Sequence, residues 1–211
     1  MAKRSFDIIF SAIIIILFSP LLLLIALFVW AGDRGPVFYV GRRVGAGGVI
    51  FGMLKFRTMV VDAERLGASS TAADDGRLTL VGRVLRRFKL DELPQMINVL
   101  KGEMSVVGPR PQVKWVVDMY GAREKRLLDV RPGITDYASI KFRNEGEILK
   151  GSKDPDGDYL RKIAPEKIRL GLKYVDDHSL LTDISIIFST LKTLVFNTKD
   201  GANLNDEKNH A

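Results

Sequence analysis

Cysteine is absent from this chain and histidine nearly so, His178 and His210 being the two examples. The first absence excludes disulfides and Cys-ligated zinc. The second argues against a His-centred triad or a multi-His metal site. Any chemistry must therefore rest on carboxylates, Lys, Arg, hydroxyls or backbone amides. Acidic residues are outnumbered, 25 against 32 basic ones, for a formal charge of +7 and a pI near 9.6. Such a balance calls for an anionic partner. Nucleic acid, an anionic membrane surface and a phosphorylated substrate all meet that demand. No nucleic-acid recognition motif is present, and binding to nucleic acid would leave the apolar run described next unexplained. At 211 residues the chain can bury one core, so one domain with attachments is expected.

Charge is missing altogether between Ile8 and Trp30, a run of about 23 residues that as a helix would cross ~30 Å of hydrocarbon. Ser19-Pro20 sits in its middle. Pro20 cannot donate to the carbonyl of Ile16, and its ring pushes that turn open. The Ser19 hydroxyl can bond back to a freed carbonyl, which makes the break tolerable in lipid. Lys3 and Arg4 precede the run while Arg34, Arg42 and Arg43 follow it, so the flanking charge gives no orientation. A straight crossing and a re-entrant hairpin that bends at Ser19-Pro20 both fit. A signal peptide is the third reading, against which stand the length and the want of a small-x-small cleavage site.

No later stretch is apolar enough to span, so everything after Gly32 is expected to be aqueous or interfacial. Pro36 to Val40 and Val49 to Phe56 are rich in Val, Ile, Phe and Tyr, and Gly45-Ala46-Gly47-Gly48 between them predicts a strand–turn–strand hairpin. These glycines lack the context of a phosphate loop or a dinucleotide fingerprint. Ala68 to Gly76, small and polar, is expected to be a mobile loop. Leu80, Val81, Val84, Leu85 and Phe88 repeat at helical spacing among Arg83, Arg86 and Arg87. That basic amphipathic helix suits a headgroup layer, or equally a core contact with a solvated basic face. Ile184, Ile187, Phe188, Leu191, Leu194 and Val195 form a second amphipathic stripe, with Thr182 or Asp183 placed to cap it. Asp154-Pro155-Asp156-Gly157-Asp158 fails as a calcium loop, because Tyr159 and Pro165 stand where Gly and Glu are needed, and is expected to be a solvated acidic turn. The tail from 197 to 211 is polar and expected to be disordered.

Asp91-Glu92-Leu93-Pro94-Gln95 follows the basic helix directly. Its bland reading is a helix start, with Asp91 as cap, Glu92 at the positive dipole end and Pro94 in the first turn. That helix would run to Lys101 and stop at Gly102. A helix N-terminus is also a phosphate site, and Arg86, Arg87, Lys89 and the Gly108-Pro109-Arg110-Pro111 turn bring cations near it in sequence. Adjacent residues on a helix point different ways. One carboxylate can attack phosphorus while the other holds a hard divalent cation.

These blocks carry a resemblance. The chain resembles the bacterial sugar transferase family, the monotopic phosphoglycosyl transferases. The match runs from the Ser-Pro-broken membrane segment through Lys55-Phe56-Arg57-Thr58-Met59, Gly82-Arg83 and Leu90-Asp91-Glu92-Leu93-Pro94-Gln95. It continues through Asn98-Val99-Leu100-Lys101-Gly102, Met104-Ser105 and Val107-Gly108-Pro109-Arg110-Pro111 to Arg131-Pro132-Gly133-Ile134-Thr135. In family order they span about two thirds of the chain, a series far more specific than any one block.

The resemblance implies a two-step transfer. Asp91 would attack the sugar-bearing phosphorus of a UDP-sugar and release UMP. A polyprenyl phosphate, undecaprenyl phosphate by family habit, would then take the sugar phosphate from the aspartate. Mg²⁺ would sit on Glu92 and Asp91. Arg86 and Arg110 are the implied nucleotide and phosphate contacts, followed by Lys55, Arg57 and Arg131. The implied fold is helix-rich α+β: a re-entrant membrane hairpin over residues 1–32 broken at Ser19-Pro20, then a cytoplasmic catalytic domain over 33–196 with a small β-hairpin and amphipathic interfacial helices, then the tail. The implied place is the cytoplasmic face of the bacterial inner membrane, in surface-glycan or exopolysaccharide synthesis, with homo-oligomerisation left open. A non-catalytic lipid-binding protein and a phosphohydrolase of the same fold are the rivals. The chain departs from the family pattern at Gly41 (usually Gln), at Phe88-Lys89 (commonly Thr-Ser) and at Asp136 (usually Gly). The stretch Phe142-Arg143-Asn144-Glu145 marks a subgroup. These departures leave the Asp-Glu dyad untouched and bear on sugar and partner specificity.

Overall fold

The computed structural model describes residues 2–196; the tail expected to be disordered lies outside them. The fold is helix-rich α+β with two small sheets, and its longest element is the apolar helix α1, Ala2–Asp33. This helix is long and apolar enough to cross a membrane, and only 11% of its most apolar stretch is buried. It is therefore not the core helix of a globular domain.

α1 runs through Ser19-Pro20 as a single helical element, without the non-helical break expected there. The local chemistry is the one foreseen. Ser19 Oγ donates to the Ile16 carbonyl at 2.9 Å, replacing the bond that Pro20 cannot make, and the ladder survives the proline. At 1.5 Å per residue the helix is about 48 Å long. Both of its ends are tied to the same domain. Near the start, Lys3 pairs with Asp183 and Arg4 donates to the Val99 and Leu100 carbonyls at 2.6 and 2.9 Å. Asp7, fully buried, accepts from Ser105 Oγ and Val106 N. Near the end, Ile25 and Val29 pack on Phe56 and Leu85, and Asp33 pairs with Arg57.

Strands β1 (Phe38–Val44) and β2 (Ile50–Phe56) form the expected antiparallel hairpin, in register from Phe38 opposite Phe56 to Val44 opposite Ile50. Gly47 and Gly48 close it with φ of 63° and 80°, which only glycine adopts freely. Helix α2 (Leu80–Arg87) is capped by Thr79, whose hydroxyl accepts the Gly82 amide. A single 3₁₀ turn, Leu90–Glu92, then leads into α3 (Gln95–Lys101), which stops at Gly102 with φ 87°. Strands β3 (Ser105–Val107) and β4 (Gly133–Thr135) pair in parallel. Their backbones meet so closely that a Cβ on Gly133 would lie 2.0 Å from Gly108 N. That contact explains the glycine in each of the two flanking motifs.

The C-terminal part adds five short or medium helices, α4 (Lys114–Asp118), α5 (Tyr137–Lys141), α6 (Glu145–Ile148), α7 (Pro155–Lys162) and α8 (Ala164–Asp177), and the long α9 (Leu180–Phe196). One core joins the hairpin, α3, β3, α8 and α9 through Phe51, Met53, Val99, Val107, Tyr174 and Ile186, with Phe10 of α1 packed against it. A second lies among α5, α7 and α8 around Phe142, Leu149 and Ile163.

Three local expectations change. The acidic stretch at 154–158 is the start of α7: Asp154 caps it by accepting the Gly157 amide, with Pro155 in the first turn. The 68–76 loop is fastened, because Asp156 accepts the amides of Ser69 and Ser70 and Ala73 N donates to the Gly146 carbonyl. The cap at the start of α9 is Ser179, which accepts the Thr182 amide. Asp183 faces inward to Lys3 and Tyr174 instead.

Candidate active site

Asp91 does not cap α3. It lies inside the 3₁₀ turn, and Lys89 just before it has φ 57°. A left-handed lysine is a strained choice, and it turns the chain so that both carboxylates face inward. Asp91 is 3% exposed and Glu92 8%. Adjacent in sequence, the two open onto different cavities.

Asp91 lines a polar cavity of about 760 Å³ together with Tyr39, Arg43, Lys55, Arg77 and Arg86. Its Oδ1 is buried and has no hydrogen-bond partner. Burial pushes its carboxyl above the ordinary aspartate range, the Lys55 charge opposes that rise, and the neighbouring Glu92 adds to it. No protein donor neutralises that oxygen, so the carboxylate is not spent on an ion pair.

Glu92 is the opposite case. Lys55 Nζ donates to it at 3.0 Å and Arg110 holds it bidentately, one arm at 3.0 Å. Burial alone would raise its pKa, but the Arg110 and Lys55 charges outweigh burial and hold the carboxyl well below the usual range. Burial lowers the Lys55 ammonium, with Glu92 opposing. Burial would also lower Arg110, yet the Glu92 charge prevails and raises it. Glu92 and Arg110 line a second cavity, about 340 Å³, whose walls are apolar.

The structure thus gathers Lys55, Arg86 and Arg110 around the dyad. Arg86 reaches the polar cavity with a contact to Thr71 Oγ1 at 3.4 Å. Arg57 also lines that cavity, but its donors are taken by Asp33 and by the Pro36 carbonyl, so it fastens the end of α1 to β2. Arg131 is not brought to the site. It is exposed and donates to the Gly102 carbonyl at 2.9 Å.

Sequence reasoning passed over Tyr39, Arg43 and Arg77 in the polar cavity. Strand alternation was the available signal for two of them, since Tyr39 and Arg43 share a face with Gly41 between. A Cβ on Gly41 would meet the Tyr39 ring at 3.0 Å and Arg43 Nη1 at 3.2 Å. The glycine there lets both side chains lean together. In the second cavity Arg143 and Lys167 were also passed over; they come from distant parts of the chain with no motif between them.

A family model described as "Bacterial sugar transferase" matches residues 1–197. The chain is 38% identical over 206 residues to the exopolysaccharide production protein ExoY of Rhizobium meliloti, covering 90% of this chain and 84% of that protein. It is 36% identical over 203 residues to a UDP-glucose:undecaprenyl-phosphate glucose-1-phosphate transferase of Caulobacter vibrioides, covering 95% and 71%. It is also 36% identical over 196 residues to an N-acetylgalactosaminephosphotransferase of Aeromonas hydrophila that uses UDP-N-acetylgalactosamine and undecaprenyl phosphate by its name; there it covers 92% of this chain and 43% of the relative.

Proposed function

We propose, from the premise that this chain belongs to the bacterial sugar transferase family, that it moves a sugar-1-phosphate from a UDP-sugar to undecaprenyl phosphate through an aspartyl intermediate. The single observation that carries this reading is Asp91 itself, a buried carboxylate that lines a cation-rich cavity and has an oxygen no protein donor holds. An Asp91 oxygen attacks the sugar-bearing phosphorus; the bond from that phosphorus to the bridging oxygen breaks, and UMP leaves with the oxygen. A phosphate oxygen of the lipid then attacks the same phosphorus. The aspartyl–phosphorus bond breaks, the carboxylate is restored, and the lipid carries a diphosphate-linked sugar. No net proton transfer is needed, which suits a site without histidine. Lys55 and Arg86 face the place where phosphoryl charge accumulates, where fixed cations stabilise the transition state most.

Among the described residues no group of three or more Asp, Glu or His stands ready for a metal. Mg²⁺ customarily takes one or two carboxylates and completes its shell with water and substrate phosphates. The Asp91 carboxylate, which lines the polar cavity, fits that part. Glu92 is the second candidate, its oxygens already shared by Arg110 and Lys55. When bound, the ion would neutralise charge on the diphosphate.

The membrane arrangement follows from α1. A helix standing across the bilayer would carry its middle away from an aqueous domain, yet α1 meets the domain near its start, at Phe10, and again at Ile25, Val29 and Asp33. That supports a helix dipped into one leaflet alongside the domain, as in a monotopic protein. UDP-sugars are cytoplasmic, so the domain sits on the cytoplasmic face of the inner membrane. The product is the first lipid-linked sugar of a surface glycan.

Mixing the protein with UDP-sugar and no lipid should release about one equivalent of UMP, as a single covalent turnover requires, and add a sugar-phosphate mass to the peptide holding Asp91. Lipid-linked product accumulating with no such adduct would overturn the covalent route. Continued UMP release without lipid would instead mark a hydrolase.

A further inference from the structure

We infer that the apolar cavity on the Glu92 side holds the lipid acceptor, and that Arg143 and Lys167 join Arg110 in binding its phosphate. The inference rests on the transfer reading above and adds the acceptor's place and two residues outside the motif blocks. The Lys55–Glu92 bond at 3.0 Å joins the walls of the two cavities, and there the acceptor phosphate meets the phosphorus on Asp91.

The walls fit a hydrocarbon chain. Phe10, Ile14 and Phe18 come from α1 and Ile187, Leu191 and Leu194 from α9. On its outer side α1 also exposes Ile9, Ile13, Ile16 and Leu17, so one helix supplies both the surface that meets lipid and a wall of the cavity. These α1 and α9 side chains offer a uracil or a ribose no hydrogen-bond partner. The donor's polar groups find partners on the Asp91 side.

The polar end fits a phosphate. Among the described residues Lys89, Arg110, Arg143 and Lys167 line the cavity against a single acid, Glu92. Glu92 is already spent on Arg110 and Lys55, and Lys167 is shared with Glu145. Among the described residues Arg143 donates to carbonyl oxygens at the end of α9, those of Thr193 and Leu194. Ser139 adds a buried hydroxyl with no partner. An excess of cations against apolar walls is costly until an anion arrives. A molecule with an apolar chain and an anionic head satisfies both halves, and a polyisoprenoid phosphate is that molecule.

The test is steady-state transfer with undecaprenyl phosphate in detergent micelles, comparing Arg143→Gln and Lys167→Gln with the parent chain. Loss of one charged hydrogen bond should raise the acceptor KM by roughly tenfold or more. The lipid-free UMP burst, which does not involve this cavity, keeps its amplitude and shows that each variant is folded. Undecaprenol should compete weakly and inorganic phosphate not at all, because chain and head are needed together. Unchanged acceptor KM in both variants with the burst intact would remove this assignment and leave the aspartyl route standing. Inorganic phosphate competing as well as undecaprenyl phosphate would overturn it too, since the chain would then contribute nothing. Absence of any burst in the parent chain would strike the transfer reading itself.

Discussion

Asp91 and Glu92 are neighbours in the chain and opposites in their surroundings. Asp91 faces a large polar cavity with an oxygen that nothing satisfies. Glu92 faces a smaller apolar one with both oxygens held by Arg110 and Lys55. One carboxylate is costly to the fold and useful to chemistry. The other is fastened and holds the cations in place. Two like residues in series need not share a task, because consecutive positions on a 3₁₀ turn point about 120° apart, here toward different cavities.

Removing the free carboxylate should have the largest effect on activity. Asp91→Asn is expected to lower transfer by at least about 10⁴-fold, as loss of a nucleophile does. It should also raise Tm. An acid whose folded pKa lies above its unfolded one binds its proton more tightly when folded, so its ionisation at neutral pH subtracts from stability. Burial raises Asp91 in that sense. A variant both inactive and less stable than the parent would erase the contrast between the two carboxylates.

Glu92→Gln should act in the reverse direction on stability. Its folded pKa is depressed, so its contribution is present above the unfolded glutamate range near 4.5 and is lost as pH falls through the lower folded value. The amide would leave Arg110 and Lys55 without their buried counter-charge, a loss of about 3–5 kcal/mol by analogy with broken buried pairs. Chemical denaturation of both variants at neutral pH checks the two signs side by side.

Lys55 touches both halves, since it bonds to Glu92 and opposes the rise of Asp91. Replacing it with Met should move the acid limb of the UMP burst to higher pH, because the charge that opposes the rise of Asp91 is gone. A limb that stays put, or moves down, would mean that Lys55 serves Glu92 alone.

The sequence made some of this legible because the signals were local. The hairpin turn needed Gly47 and Gly48, the end of α3 needed Gly102, and α2 announced itself through its apolar spacing. The dyad was recognised from its motif. What stayed hidden depends on contacts between distant residues. Where the two ends of α1 are anchored depends on Lys3 meeting Asp183 and Asp33 meeting Arg57, which periodicity does not encode. The role of Asp183 was misread for the same reason: its position suits a cap, but Lys3 and Tyr174, on other helices, draw it inward. Arg143 and Lys167 share a cavity with Arg110 because α5, α8 and the β3–β4 pair fold together, and no spacing rule brings them into one view.

The weakest effect should come from a motif residue. Arg131 belongs to the block Arg131-Pro132-Gly133-Ile134-Thr135, and the resemblance implied a phosphate contact for it. In the fold the block's crowded position is Gly133, pressed against Gly108 where β4 meets β3. Arg131 points outward to one carbonyl, that of Gly102, so its place in the motif fits a geometric duty at the end of α3. Arg131→Ala should therefore cost about 1 kcal/mol or less, the worth of one exposed hydrogen bond, and leave the KM for UDP-sugar and for lipid as they were. A tenfold rise in either constant, with the burst amplitude preserved, would put Arg131 among the substrate contacts and extend the site beyond the two cavities.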